Sequence, residues 1–419
     1  MRALLSKSEI KGKVRAPSSK SYTIRGLMCA ALAKGNSEII HPLGSDDTEA
    51  AQGVLTKIGV KIAEDEDSWR VTGDNFHQPE GELFCRESAA TLRFMTAICS
   101  LVPGECRLTA SPSLLRRPIK PLIQALQQLS SDVSHRNKSV IIKGGKLKGG
   151  LAEMPGNISS QFVSALLLIS PFADKGVKIK LTTPLESKPY VLMTLECLNT
   201  FSIKVRHSPD LKEFQISKQT YQPARYEVEG DWSSASYLLA LGALCGDVEV
   251  ENLNPRSLQG DKAILDFLKD MGASVTLRKD TIKAQKSRLK AIRADLTDCI
   301  DLLPTVAVLA AVAEGTSEFT GIKRARLKES DRVAAVKEGL SRMGIKVTEG
   351  MDKLVITGSV PKGAAIDSKG DHRMAMAFAL LGAVVGGTTI EGAECVSKTY
   401  PEFWDILKGI GGKVRLDGK

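Results

Sequence analysis

The stretch RVAAVKEGLSRMGIKVTEGMDKLVIT, residues 332–357, contains two kinds of periodicity in succession. Val333, Val336, Leu340 and Met343 recur at helical spacing and predict an amphipathic helix over 332–343. Gly344 then breaks the pattern, and Ile345-Lys346-Val347 alternates as a strand does. Glu349-Gly350-Met351-Asp352 reads as a turn and Lys353-Leu354-Val355-Ile356-Thr357 as the returning strand.

The junction of helix and strand recurs along the whole chain. Its mark is a Leu, two variable residues, an apolar residue and then Gly or Ser. The leucines are Leu55, Leu126, Leu198, Leu268, Leu340 and Leu407, roughly 70 residues apart. The residues that close the mark are Gly59, Ser130, Ser202, Gly272, Gly344 and Gly411. One supersecondary unit is thus used six times.

A second helix per unit is apolar on nearly every side: 26–33, 92–101, 162–170, 235–245, 302–313 and 374–385. Such a helix in a water-soluble chain belongs in an interior. An open array of six units would form an elongated solenoid, whereas wholly apolar helices call for closed groups around them. Polar residues gather where these helices begin: Ser19-Lys20-Ser21, Glu87-Ser88, Ser159-Ser160-Gln161, Asp231 to Ser234, Asp298 to Asp301 and Asp371-His372-Arg373. Ser and Asp there suit N-caps, and a helix start also suits an anion.

The chain of 419 residues carries a net charge of +10, which favours anionic partners. Aromatic residues are only 5%, and neither a long basic run nor a nucleic-acid-binding motif is present, so small phosphorylated or carboxylated substrates fit at least as well as nucleic acid. The eight Cys form no CxxC pair and no metal-ligand spacing, and the five His are scattered. Cys29, Cys99, Cys245 and Cys299 sit in apolar helical stretches, as expected of core thiols in a reducing compartment. Residues 1–10 read as a strand rather than a signal peptide, and 374–390 as a buried helix rather than a membrane span. The expectation is a cytoplasmic enzyme without metal, cofactor, nucleic acid or membrane.

Several segments can carry chemistry. Lys20 precedes Ser21 and Arg25, which share a helix face; hydroxyl, ammonium and guanidinium there make a clamp for phosphate or carboxylate. The same residues suit a capped helix with exposed basic side chains. Arg93 follows the small residues Ser88, Ala89 and Ala90, where a ligand could approach the backbone, and Arg117 precedes Pro118 at the start of an outer helix. A solvated arginine pair at 116–117 would read alike. In Lys328-Glu329-Ser330-Asp331-Arg332, Lys328 and Arg332 share a face and Glu329 lies in the first turn if the helix begins there. A capped surface helix with an internal ion pair explains that pattern equally. Arg373 must reach out of a core-facing segment, which favours function, while Asp301 opens the apolar helix of the fifth unit and Lys398 stands in Ser397-Lys398-Thr399-Tyr400-Pro401.

Together these segments resemble the enolpyruvylshikimate-phosphate synthase family along the whole chain. The resemblance rests on Ser19-Lys20-Ser21 with Arg25, Arg93, Arg117-Pro118, Ser159-Ser160-Gln161, Ser187-Lys188-Pro189-Tyr190, Gly230-Asp231 with Ser233-Ser234-Ala235, Lys328 to Arg332, Asp371 to Met376, and Lys398-Thr399 before Pro401. It implies an α/β fold: a two-domain inside-out α/β barrel of six βαβαββ-type repeats, three per domain, with buried parallel helices. The domains would be 1–18 plus 230–419 and an inserted 19–229. The active site would lie in the interdomain cleft, which would close on binding, and the chain would be a monomer.

The resemblance further implies a shikimate-pathway transferase serving aromatic amino acid biosynthesis. It would move the enolpyruvyl group of phosphoenolpyruvate to the 5-hydroxyl of shikimate 3-phosphate and release phosphate. By motif position, Lys20, Ser21, Arg25, Ser159, Ser160, Gln161, Ser187, Asp301 and Lys328 would hold shikimate 3-phosphate. Lys20, Ala89, Arg117, Gln161, Arg332, Arg373 and Lys398 would hold phosphoenolpyruvate. Asp301 matches the proton acceptor and Glu329 the proton donor, with Lys20 beside them in catalysis. Two positions depart from the family. Arg324 stands where many relatives carry Asn. Ala89 stands where Gly usually lines the phosphoenolpyruvate pocket; its methyl would admit phosphoenolpyruvate but crowd the longer competitor glyphosate, a difference that inhibition of the Ala89→Gly variant measures.

The sister enolpyruvyl transferase acting on UDP-N-acetylglucosamine shares this fold. It typically pairs Lys with Asn near the start and uses a Cys in a Gly-rich loop. Here Lys20 is followed by Ser21, and Pro103-Gly104-Glu105-Cys106 matches that loop poorly.

Overall fold

The computed structural model describes residues 1–136 and 138–418. The chain divides into two compact units, Met1–Pro17 with Gly230–Lys419, and Ser18–Glu229, so that Ser18 falls in the inserted unit. Among the described residues the strands form six four-stranded sheets, three in each unit.

All six sheets share one plan. An edge strand lies parallel to its neighbour, and two antiparallel strands follow. In the fifth unit the order is Arg293–Asp295, Thr316–Thr320, Lys353–Thr357, Lys346–Glu349, with Val355 opposite both Glu318 and Thr348. Alternation buries Leu354 and Ile356 on one face and leaves Lys353 outside. The turn expected at 349–352 is present, Gly350 donating to the Lys353 carbonyl at 2.7 Å.

The start of the chain completes the end. Arg2–Ser6 pairs antiparallel with both Thr388–Glu391 and Lys413–Asp417 and is the missing hairpin strand of the sixth unit. The next strand, Ile10–Arg15, forms a parallel edge on Gly246–Glu251, while Arg225–Glu227 forms the parallel edge on Gly35–Ile40. In these two sheets the edge strand is therefore remote in sequence from the strand it borders and from the interior helix before that strand.

The recurring mark is a helix C-terminus. Its leucines lie in the helices Asp46–Lys57, Lys120–Gln128, Lys188–Thr200, Ile264–Asp270, Arg332–Arg342 and Phe403–Gly409, all buried. Each such side chain contributes about 1.5–3 kcal/mol by leaving water. The residues closing the mark all have positive φ, from 65° at Ser202 to 107° at Gly59. The following N–H returns to the Leu carbonyl in every copy, at 2.8 Å from Ile203, Ala273 and Gly412 and at 3.0–3.2 Å from Ser131, Ile345 and Val60. This is a Schellman cap, which satisfies carbonyls the helix leaves open. Gly is favoured at that position because it has no Cβ, and Ser130 and Ser202 accept the strain.

The apolar helices are interior as expected: Lys20–Leu32, Ala89–Ile98 and Ser160–Ile169 in the inserted unit, Trp232–Cys245, Leu303–Val312 and His372–Val385 in the other. Every residue from 232 to 244 and from 303 to 311 is buried. Each unit thus has its own core, with helices inside and sheets and outer helices around them. Of the eight cysteines, none is in a disulfide, and Cys245 and Cys395 are only half-buried. Among the described residues no helix is long and apolar enough to cross a membrane, and no group of His, Cys, Asp or Glu could hold a metal ion.

Candidate active site

The polar residues at the helix starts separate into caps and functional candidates. Ser19, Asp231 and Asp371 are N-caps whose side chains accept from Tyr22, Ser234 and Arg373 N–H groups. Ser88 and Ser159 occupy the N-cap position without a side-chain cap bond.

In the inserted unit, Lys20 opens its helix and meets buried Asp47 at 2.9 Å. Ser21 follows, and Arg25 one turn later turns inward. Its Nε donates to Thr194 Oγ1 at 2.8 Å, Nη1 to the Ser21 carbonyl at 3.0 Å and Nη2 to the Tyr190 carbonyl at 3.1 Å. The guanidinium also lies against the rings of Phe94 and Tyr190. Burial pulls its pKa below the ordinary guanidinium value.

Arg93 stands over the Phe162 ring and donates to Gln161 Oε1 at 2.6 Å and Ser159 Oγ at 3.3 Å. It thereby arranges two of the expected ligand residues, a role its place in the motif alone did not reveal. Ser160 begins the helix Ser160–Ile169 and is buried. Ser187 is buried at the N-cap of Lys188–Thr200 with φ of 53°. Ala89 is the first residue of its helix, and Arg117 is half-buried next to Pro118.

The discontinuous unit brings Asp301, Lys328, Glu329, Arg332, Arg373 and Lys398 into one cluster. Arg332, 1% exposed, is its hub. Nη1 donates to Asp301 Oδ1 at 2.6 Å, Nη2 to Glu329 Oε2 at 2.6 Å and Nε to Asp371 Oδ2 at 2.8 Å. Burial opposes its charge, but Asp371, Glu329 and Asp301 together push its pKa up. Lys328 Nζ lies 3.1 Å and Arg373 Nε 3.7 Å from Asp301 Oδ1, and Lys398 Nζ lies 3.4 Å from Glu329 Oε1. Burial alone would raise the Asp301 carboxyl, yet Lys328, Arg373 and Arg332 hold it well below the usual carboxylate range.

Two expectations change here. The helix begins at Arg332 with Asp331 as its cap, so Glu329 is not in a first turn and Lys328 is not on the same helix face. A 3-10 turn, Lys323–Leu327, precedes them, and Lys328 and Arg332 meet by sharing Asp301 instead. The pattern could not reveal this, because Asp331 and Glu329 are both acceptable at a helix start. Asp371 was missed as a partner of Arg332, since a cap immediately before an apolar helix explains it locally. Arg324 is buried and donates to the Thr297 carbonyl at 2.7 Å.

Known proteins are similar to this chain along nearly its whole length. The profile of EPSP synthase (3-phosphoshikimate 1-carboxyvinyltransferase) matches residues 5–407. A 3-phosphoshikimate 1-carboxyvinyltransferase of Dehalococcoides mccartyi is 53% identical over the full length of both chains. Another, from Methanocaldococcus jannaschii, is 40% identical over 97% of each. The solved EPSP synthase of Acinetobacter baumannii superposes with a TM-score of 0.83 at 26% identity, covering 99% of each chain. With a buried cluster of paired carboxylates and cations and a match from end to end, the chain belongs to the EPSP synthase (3-phosphoshikimate 1-carboxyvinyltransferase) family, and is a transferase.

Proposed function

We propose that the chain transfers the enolpyruvyl group of phosphoenolpyruvate to the 5-hydroxyl of shikimate 3-phosphate, with Asp301 as base and Glu329 as acid. The observation that carries this reading is that both carboxylates bond one buried guanidinium, Arg332, while each also faces a different cation. Addition of a hydroxyl across a carbon–carbon double bond needs a proton removed at oxygen and one delivered at carbon. Two carboxylates with different neighbours suit that division.

Asp301 takes the hydroxyl proton as oxygen bonds to the phosphoenolpyruvate carbon bearing the phosphate. Glu329 delivers a proton to the methylene carbon, giving a tetrahedral intermediate. Glu329, now a carboxylate, takes a proton back from the resulting methyl carbon, which restores the double bond as the bond from the central carbon to the phosphate oxygen breaks, and the leaving phosphate carries off the proton that Asp301 took. The cations around Asp301 keep it charged but make it a weak base. Substrate anions that engage Lys328 and Arg373 offset that field and strengthen it. Glu329 is gripped at both oxygens, so its proton must arrive as Lys398 and Arg332 turn toward substrate anions.

Ser21, Arg25, Ser159, Ser160, Gln161, Ser187 and Lys328 hold shikimate 3-phosphate in this reading. Arg117, Arg373 and Lys398 hold phosphoenolpyruvate beside Ala89, with Lys20 serving both. Arg332 serves phosphoenolpyruvate and also sets the two carboxylates. The test is phosphate release with each substrate alone and with both. Release only with both, abolished in Glu329→Gln, is expected; release without shikimate 3-phosphate, or full activity of Glu329→Gln, would overturn it.

A further inference from the structure

Arg373 enters the cluster from the first turn of the helix His372–Val385 and is approached from two sides. Its Nε faces Asp301 at 3.7 Å. Its Nη2 donates to Ser233 Oγ at 3.2 Å, and the Ser233 hydroxyl donates in turn to Oδ2 of Asp261. Ser233 is not needed as a cap, because Asp231 already accepts from Ser234 N–H at 2.7 Å. Asp261 lies in the 3-10 turn Gly260–Ala263 and is 2% exposed, and its Oδ1 has no hydrogen-bond partner among the described residues. A buried carboxylate with one oxygen unmet is destabilising and so asks for a reason.

We propose that Asp261 is a positioning residue for phosphoenolpyruvate: through the Ser233 hydroxyl it holds the Arg373 guanidinium in the orientation that receives the substrate anion. The inference rests on the reading of Arg373 as a phosphoenolpyruvate contact.

A hydroxyl has one proton. Directing it to Asp261 turns the oxygen's lone pairs toward Arg373, so the chain runs from guanidinium to hydroxyl to carboxylate with every donor facing an acceptor. Without the carboxylate the hydroxyl is free to turn, and Asp301 becomes the stronger pull on Arg373. A small displacement of a binding group is enough to weaken an oriented complex.

The groups around Asp261 come from three elements. Ser233 and Asp231 belong to the helix Trp232–Cys245 and its cap, Cys299 and Asp301 to the turn Ile300–Leu302 and its cap, and Arg373 to His372–Val385. Burial first, then the negative charge of Asp301, pushes the Asp261 carboxyl up to about 6, against the pull of Arg373. A carboxyl raised in this way binds more protons folded than unfolded, so its ionisation subtracts stability as pH rises toward neutrality. The chain to Arg373 is fully charged only above that range.

The experiment compares Asp261→Asn, Ser233→Ala, the double variant and Arg373→Ala by titrating each substrate across mildly acidic to neutral pH, together with thermal melts. Asp261→Asn and Ser233→Ala should each raise KM for phosphoenolpyruvate about tenfold, the loss of one charge-assisted bond, and leave that for shikimate 3-phosphate within about twofold. The double variant should be no worse than either single one. Asp261→Asn should melt no lower than wild type at neutral pH, and its disadvantage should vanish in mild acid. An unchanged phosphoenolpyruvate KM, equal losses for both substrates, or additive singles would overturn the proposal. If Arg373→Ala raises that KM and the other variants do not, only the chain through Ser233 fails. If Arg373→Ala is itself without effect, the reading of Arg373 fails first.

Discussion

Arg25 and Arg332 lie equally deep, 2% and 1% exposed, yet the two units hold them in opposite ways. Arg25 is bound by a hydroxyl, two carbonyls and two aromatic rings, all neutral, so its positive charge stays uncompensated. Arg332 is bound by three carboxylates, which more than balance it. A guanidinium left with net charge attracts a polyanion. A guanidinium saturated by carboxylates fixes the position and charge of those carboxylates. In the proposed reading, Arg25 therefore serves binding, whereas Arg332 also sets the two carboxylates that move protons.

The largest expected effect tests this contrast directly. Arg332→Met takes from Asp301, Glu329 and Asp371 the one guanidinium they share and should destabilise by about 3–5 kcal/mol. Without Arg332 the Asp301 carboxyl is held down less strongly in the folded state, so part of the loss should return as pH falls. Arg25→Met leaves only neutral acceptors and should lose about 1–3 kcal/mol with no such pH dependence. Denaturant unfolding in mild acid and mild alkali measures both; equal losses with equal pH dependence would remove the distinction.

Next in size, Arg117→Ala should raise KM for phosphoenolpyruvate about tenfold while changing that for shikimate 3-phosphate much less. Steady-state titration of each substrate checks it, and equal losses would count against the assignment. The smallest effect concerns caps rather than charge. The discontinuous unit uses Gly in all three copies of the helix ending, while the inserted unit has Ser130 and Ser202 in two. Ser130→Gly and Ser202→Gly should each stabilise by about 0.5–1 kcal/mol. A fall in melting temperature for both would show that the left-handed positions are not strained.

Much of the scaffold was legible because its signals are short-ranged. Helical spacing, an apolar surround and a C-terminal Gly each span a few residues, and the Schellman bonds and interior helices follow from them. The candidate residues were legible as motifs, and five of them do meet around a sixth, Arg332. Their partners were not. Asp47 for Lys20, Asp371 for Arg332 and Asp261 for Ser233 are each explained locally as an ordinary helix-start acid. The same ambiguity misplaced Glu329 within a helix that starts three residues later.

Sequence was sufficient for the repeated unit, its caps, the interior helices and the residue types for two-anion chemistry, because these depend on neighbours within one or two turns. Only the folded chain decided that Arg2–Ser6 completes the sixth sheet and that Arg225–Glu227 and Ile10–Arg15 supply edges to sheets built largely from distant segments. It alone decided which carboxylate each buried cation meets. Those outcomes depend on segments far apart in the chain arriving at one place, where burial makes every unpaired charge costly and so selects its partner.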